Sequence, residues 1–265
     1  MFLPATTQQV ERAEMQDDTD IGGPLGHFPA TQHSALLAAR SADADERRRA
    51  YEALIAAYWK PAYKYLRVKW HASNEEAKDL TQSFFVAAME KRHFDRFDPR
   101  RAAFRTFLRT CLDGFVANER KARGRLKRGG GQPLLSLDYQ SADDELRFAV
   151  AADRQGPEEF FHQEWVRSVF GLAVQELERW CSETGKEVHL AIFRAYDLDE
   201  STSELRPSYE QLAARFGLPV TQVTNFLALV RRRFRELVLE RLRECTGSDD
   251  EFREEARALL GGGRM

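Results

Sequence analysis

The sequence predicts an all-α protein: two helical domains joined by an acidic flexible linker, the C-terminal domain carrying a helix-turn-helix. Three observations predict this. Apolar residues recur at spacings of three and four over most of residues 28–243, the period of an amphipathic helix. No pair of alternating runs brackets a tight turn as a β-hairpin would, and no fixed-period repeat is present. Glycines and acids concentrate at 129–157, between two cation-rich stretches. With 265 residues, 43% of them hydrophobic, the chain can bury such cores.

Taken in order, residues 1–27 are polar and Gly-rich and read as disordered. They lack the charged start and apolar stretch of a secretory signal. No apolar run approaches the ~18 residues of a membrane span, so no membrane association is expected and the cytoplasm is the expected compartment. The first helical domain covers 28–128. Within it YEALIAAYWKPAYKYLRVKW is strongly amphipathic, with Pro61 at a kink or helix restart. Asn74 can cap the next helix, with Glu75 and Glu76 in its first turn. FDRFDPRR forms a loop at Asp98-Pro99. The linker 129–157 has few aromatics beyond Tyr139 and Phe148 and is not expected to fold alone. The second domain covers 158–243, interrupted by the acidic loop 197–207, and a charged amphipathic helix in the extension 244–265 runs from after Gly247 to Leu260. Cys111, Cys181 and Cys245 are far apart and read as small core residues, not as a disulfide framework or zinc site.

Charge is distributed unevenly although the formal net charge is −2. The local balance is +9 from Lys91 to Arg128, −6 from Leu137 to Glu164 and +4 from Arg231 to Arg243. Local patches, not the total, set attraction to a polyanion. In FRTFLRTCLDGFVANERKARGRLKR, Phe104, Phe107, Leu108, Cys111, Leu112, Phe115 and Val116 form one apolar stripe. Beside it Arg105, Arg109, Arg120, Arg123 and Lys127 fall within about 60° of one another at the helical period. Glu119 is the only acid between Gly114 and Arg128, so local i,i+4 pairing does not account for these cations. Such a stripe can follow phosphates; a merely solvated basic face is the plain alternative.

Two further helices carry signals. In NEEAKDLTQSFFVAAMEK, Ala77, Leu80, Phe84 and Ala88 face one way, and Asp79, Gln82, Ser83 and Val86 the other, as a modest partner surface would. In SYEQLAARFGLPVTQVTNFLALVRRRFREL, Ser208 suits an N-cap, Leu212, Ala213 and Phe216 an apolar face, and Gly217 a left-handed helix end. A second helix begins near Thr221, with Val223 and Leu227 inward. Thr221, Gln222, Thr224 and Asn225 face out, all able to meet base edges or phosphates, followed by Arg231 and Arg232. An ordinary helical hairpin is the competing reading.

Together these residues resemble the extracytoplasmic-function (group 4) sigma factors of bacterial RNA polymerase. DLTQSFF matches the family's DLxQ-type stretch. FRTFLRTCLDGFVANERKARGRLKRGGG matches the FRTWL-type helix and its basic continuation, and SYEQLAARFGLPVTQVTNFLALVRRRF the C-terminal helix-turn-helix. FPATQHSALLAA, AYWKPAYKYLR and LLSLD are similar to one subgroup. The resemblance spans about 28–260. It implies a subunit for promoter recognition, DNA melting and transcription initiation. Its implied partners are core polymerase, through the β′ clamp helices and the β subunit, and promoter DNA; an anti-sigma factor or other regulator is a further partner it allows.

By the resemblance, Asp79, Leu80, Thr81, Gln82, Phe85 and Val86 dock on core polymerase. The loop 94–103 and following helix separate the strands and read the downstream (−10) element, through Phe97, Arg100, Arg101, Arg105, Arg109, Asn118, Arg120, Arg123 and Lys127. Thr221, Gln222, Thr224, Asn225, Arg231 and Arg232 serve the upstream (−35) element. Two positions depart from the family's pattern: Gly114, preceded by Asp113, stands where Asn is common, and Phe226 replaces the usual basic residue of the recognition helix. The linker either threads a basic polymerase channel or is a passive tether. No enzyme is expected, and no cofactor or metal: His27, His33, His71, His93, His162 and His189 form no HExxH or comparable pair. The alternative function is a stand-alone helix-turn-helix regulator on duplex DNA, which would not need core polymerase.

Overall fold

The computed structural model describes residues 35–123, 137–150, 156–198 and 206–261. The expected disordered segment 1–27, Lys127 and the glycine-rich start of the linker lie outside them, as does the side chain of Arg123. Ten α-helices and no strand make up the described residues: α1 (Ala35–Ala38), α2 (Ala44–Lys69), α3 (Asn74–Glu90), α4 (Phe104–Arg123), α5 (Tyr139–Val150), α6 (Pro157–Glu183), α7 (Glu187–Phe193), α8 (Tyr209–Phe216), α9 (Val220–Cys245) and α10 (Asp249–Leu260). The all-α expectation holds.

Helix α2 is the axis of the molecule. Asp43 caps it, accepting from the backbone N–H of Asp45 (2.8 Å) and Glu46 (3.0 Å), and Arg67 and Lys69 complement the dipole at its end. Pro61 lies inside one continuous helix; the expected restart does not occur, and buried residues on both sides of Pro61 pack α2 into the core. Ser73, not Asn74, caps α3: its Oγ accepts from Glu76 N–H at 3.2 Å, and Asn74 is the first helical residue.

The two expected modules share a core. Helix α2 packs along α6 and against α3, α5, α1 and α9. Tyr58 is fully buried between Phe104 of α4 (5.4 Å, edge-on) and Trp165 of α6 (6.2 Å, stacked), and its hydroxyl donates to the Cys245 carbonyl at the end of α9. Tyr65 meets Phe161 edge-on at 5.4 Å.

The segment read as a flexible linker contains helix α5, and this part of the expectation is corrected. Tyr139, Ala142, Asp143 and Leu146 are buried. Two acids of the segment are bonded to α2. Asp143 accepts from Arg67 and, at 3.0 Å, from the Tyr63 hydroxyl; Glu145 accepts from Lys60 (2.8 Å) and Lys64 (2.7 Å). Lys64 is itself buried and also donates to buried Glu164 at 2.6 Å. A charge so placed persists only when paired.

Candidate nucleic-acid interface

Helices α8 and α9 meet as a helix-turn-helix pair. Ser208 and Gln211 close a capping box: Gln211 N–H donates to Ser208 Oγ (3.2 Å) and Ser208 N–H to Gln211 Oε1 (2.7 Å). Gly217 ends α8 at φ 66°, where a side chain would be strained, and Leu218 N–H bonds back to the Ala213 carbonyl at 3.0 Å. Helix α9 begins one residue earlier than expected, after Pro219, with no side-chain cap. The Gln222 N–H bonds the Pro219 carbonyl at 2.9 Å, and no side chain caps the N–H groups of Val220 and Thr221 before it. Val223 and Leu227 are buried, while Thr221, Gln222 and Asn225 are exposed and Thr224 is half-exposed. That is a polar, base-readable front on an apolar back.

Phe226 stacks on His189 of α7 at 3.6 Å, so this departure from the family pattern serves packing. Arg231 and Arg232 separate. Arg232 is exposed. Arg231 is buried, its Nε and Nη2 each 2.9 Å from a carboxylate oxygen of Asp197, whose side chain is also enclosed, with the guanidinium 5.1 Å from the Tyr196 ring. The expected phosphate contact at Arg231 is thus not available in this conformation.

On α3, Asp79 is exposed and Gln82 and Ser83 are half-exposed. Leu80, Thr81 and Phe85 turn into the core, the Thr81 hydroxyl donating to the Ala77 carbonyl at 2.7 Å, and Val86 is also buried. Four of the six expected docking residues therefore support the face and do not form it. The Tyr139 hydroxyl of α5 donates to the Lys78 carbonyl of α3 at 3.5 Å, and burial holds it above the usual tyrosine range.

The apolar stripe of α4 is confirmed. Phe104, Leu108, Leu112 and Val116 are buried, and Phe107, Cys111 and Phe115 pack against them. Phe97 is buried against Phe104 (5.2 Å) and Phe107 (5.4 Å). Arg100 and Arg101 are exposed and flank Asp98, whose carboxyl Arg100 holds down at about 2. Asn118 is exposed.

The described cations of the basic stripe are bonded to acids from other elements. Arg105 pairs with Glu255 of α10, Arg109 with Glu158 of α6 (2.7 Å), and Arg120 with Glu76 of α3 (3.3 Å). Arg120 also donates to the Trp70 carbonyl at 2.8 Å and lies over its ring. His162, beside Arg105, is held below the usual histidine range by burial first and then by that guanidinium. Sequence reasoning did not find these partners; they lie far along the chain, where helical periodicity carries no information. Nor did it find Asp113, which accepts from the Tyr65 hydroxyl (3.1 Å), Lys69 (2.8 Å) and Trp70 Nε1 (2.8 Å) and pins α4 to α2. The signal was there, one of only two acids on an arginine-rich helix. Gly114 next to it is exposed, with open space where a side chain would be.

An all-helical scaffold with a polar recognition helix and an arginine-lined second helix defines a DNA-binding protein of the helix-turn-helix class. The sequence model described as ECF sigma factor matches residues 32–238, and the chain belongs to that family. Comparison with curated proteins and with solved structures gave no significant match. The chain is thus an RNA polymerase sigma factor, of a family whose members act with core polymerase and promoter DNA and are not enzymes. No helix among the described residues is long and apolar enough to cross a membrane, and no described group of His, Cys, Asp and Glu could hold a metal ion.

Proposed function

We propose that this sigma factor reads the upstream promoter element with the front of α9 and opens the downstream element with the 94–103 loop and α4. The observation that carries the reading is the exposed Thr221, Gln222 and Asn225 at an uncapped helix start, held by a glycine turn on a buried apolar back. Side-chain amides and hydroxyls there can pair with base edges, while the N–H groups at the helix start and Arg232 can donate to phosphate oxygens. The exposed Arg100 and Arg101 begin the basic track that a separated strand requires, and Arg105, Arg109 and Arg120 of α4 would extend it once released from Glu255, Glu158 and Glu76. Asp79 and Gln82 offer core polymerase a polar contact on the outer face of α3.

The test is promoter-directed run-off transcription with purified core polymerase. Gln222→Ala with Asn225→Ala is expected to lower upstream-element binding by roughly tenfold or more, at about 1–3 kcal/mol per good base contact. Core binding should be unchanged. Asp79→Ala with Gln82→Ala should weaken core capture and leave helicity unchanged. Core-independent, promoter-specific binding by the wild-type chain would instead favour a stand-alone regulator.

A further inference from the structure

Helix α10 lies beyond residues 32–238 of the family match, yet it is built into the candidate melting site. Phe252, Ala256 and Leu260 anchor it in the core. Its carboxylates reach the start of α4. Glu251 Oε1 accepts from the Phe104 N–H at 2.8 Å, an orphan donor of the first turn of α4, and Oε2 from the Gly247 N–H at 2.8 Å. Buried Glu255 pairs with Arg105, one residue further along α4. Gly247 lies directly on the Phe97 ring, so close that a Cβ there would overlap the ring edge. The segment 247–255 therefore covers Phe97, the N-terminus of α4 and Arg105 together.

These carboxylates hold positions that suit a phosphate: a helix N-terminal N–H and a guanidinium. Burial pushes the Glu251 carboxyl above the usual range, so its charge is held there at a cost. We propose that α10 is a displaceable acidic cap, an intramolecular competitor that occupies the melting site until promoter DNA takes its place. The inference rests on the melting role proposed above for Phe97 and Arg105.

The test uses the full chain and a fluorescent 20-nucleotide oligo-dT, titrated at several salt concentrations. Glu251→Gln with Glu255→Gln loosens the cap while keeping side-chain volume. Asp250→Asn with Glu254→Gln removes two charges from the exposed side of the same helix and serves as the control. The first pair is expected to bind at least roughly threefold tighter than the control pair, with a salt slope steeper by about 0.7 for each further phosphate that the uncovered site neutralises. In the wild-type chain, hydrogen exchange of the 249–260 amides should rise when oligo-dT is added. Equal affinities for the two pairs, or undiminished protection of α10 in the oligonucleotide complex, would overturn the cap. Run-off transcription separates the two failures. No core-dependent transcript removes the melting role and the cap with it; normal transcripts with equal affinities remove the cap alone.

Discussion

Arg231 donates two hydrogen bonds to Asp197 inside the protein, whereas Arg232, the next residue of α9, is exposed. Arg231→Ala would leave the buried Asp197 carboxylate without its main partner. The expected cost is about 3–5 kcal/mol of stability, the usual penalty for stranding half of a buried pair. Arg232→Ala should change stability by no more than about 0.5 kcal/mol, as surface substitutions do. It should nonetheless reduce the salt slope of duplex DNA binding by about one. Urea denaturation and salt-dependent titration of the two variants check both expectations. Sequence alone treats the two arginines as equivalent, because a run of cations does not say which one meets a buried acid 34 positions earlier.

At the scale of the element, the helix-turn-helix was legible because everything that builds it is local. The capping box spans four consecutive residues, and the left-handed turn is a property of Gly217 itself. Gly217→Ala, which forces a side chain into φ 66°, should cost about 1 kcal/mol, and Ser208→Ala about 1 kcal/mol through the lost cap. Both should show as lower urea midpoints, with DNA affinity falling as the α8–α9 angle loosens. Helix α5 was not legible. Its sequence is short and acidic, and an isolated helix of that length is marginal in water. Lys60, Lys64 and Arg67 of α2 supply the missing stabilisation by pairing with Asp143 and Glu145. The stripe on α4 falls between these cases: its phase was readable, but its neutralisation by Glu76, Glu158 and Glu255 was not.

At the scale of the molecule, the two helical modules are joined through Tyr58, Trp165 and the end of α9. Free of polymerase and DNA, they should unfold in one cooperative transition, with coincident far-UV circular dichroism and tryptophan fluorescence curves. Tyr58→Ala should lower stability by about 3–5 kcal/mol, as truncation of a buried aromatic does. Cys181 and Cys245 are buried, and burial pushes both thiols above the usual range. Their labelling by a thiol reagent should therefore track global unfolding. Two resolved transitions, or labelling of Cys245 in the native chain, would show that the modules separate easily.

By itself the sequence determined the helices other than α5, their apolar faces, the helix-turn-helix and the resemblance that led to the family, since each depends on residues within a few turns of one another. Only the tertiary structure decided which cations are free. Arg105, Arg109, Arg120 and Arg231 all read as open phosphate contacts, and all four are bonded to acids brought from elsewhere in the chain. The physical reason is that helix formation follows from short-range periodicity, whereas a charge acts on whatever the fold places within a few ångströms of it.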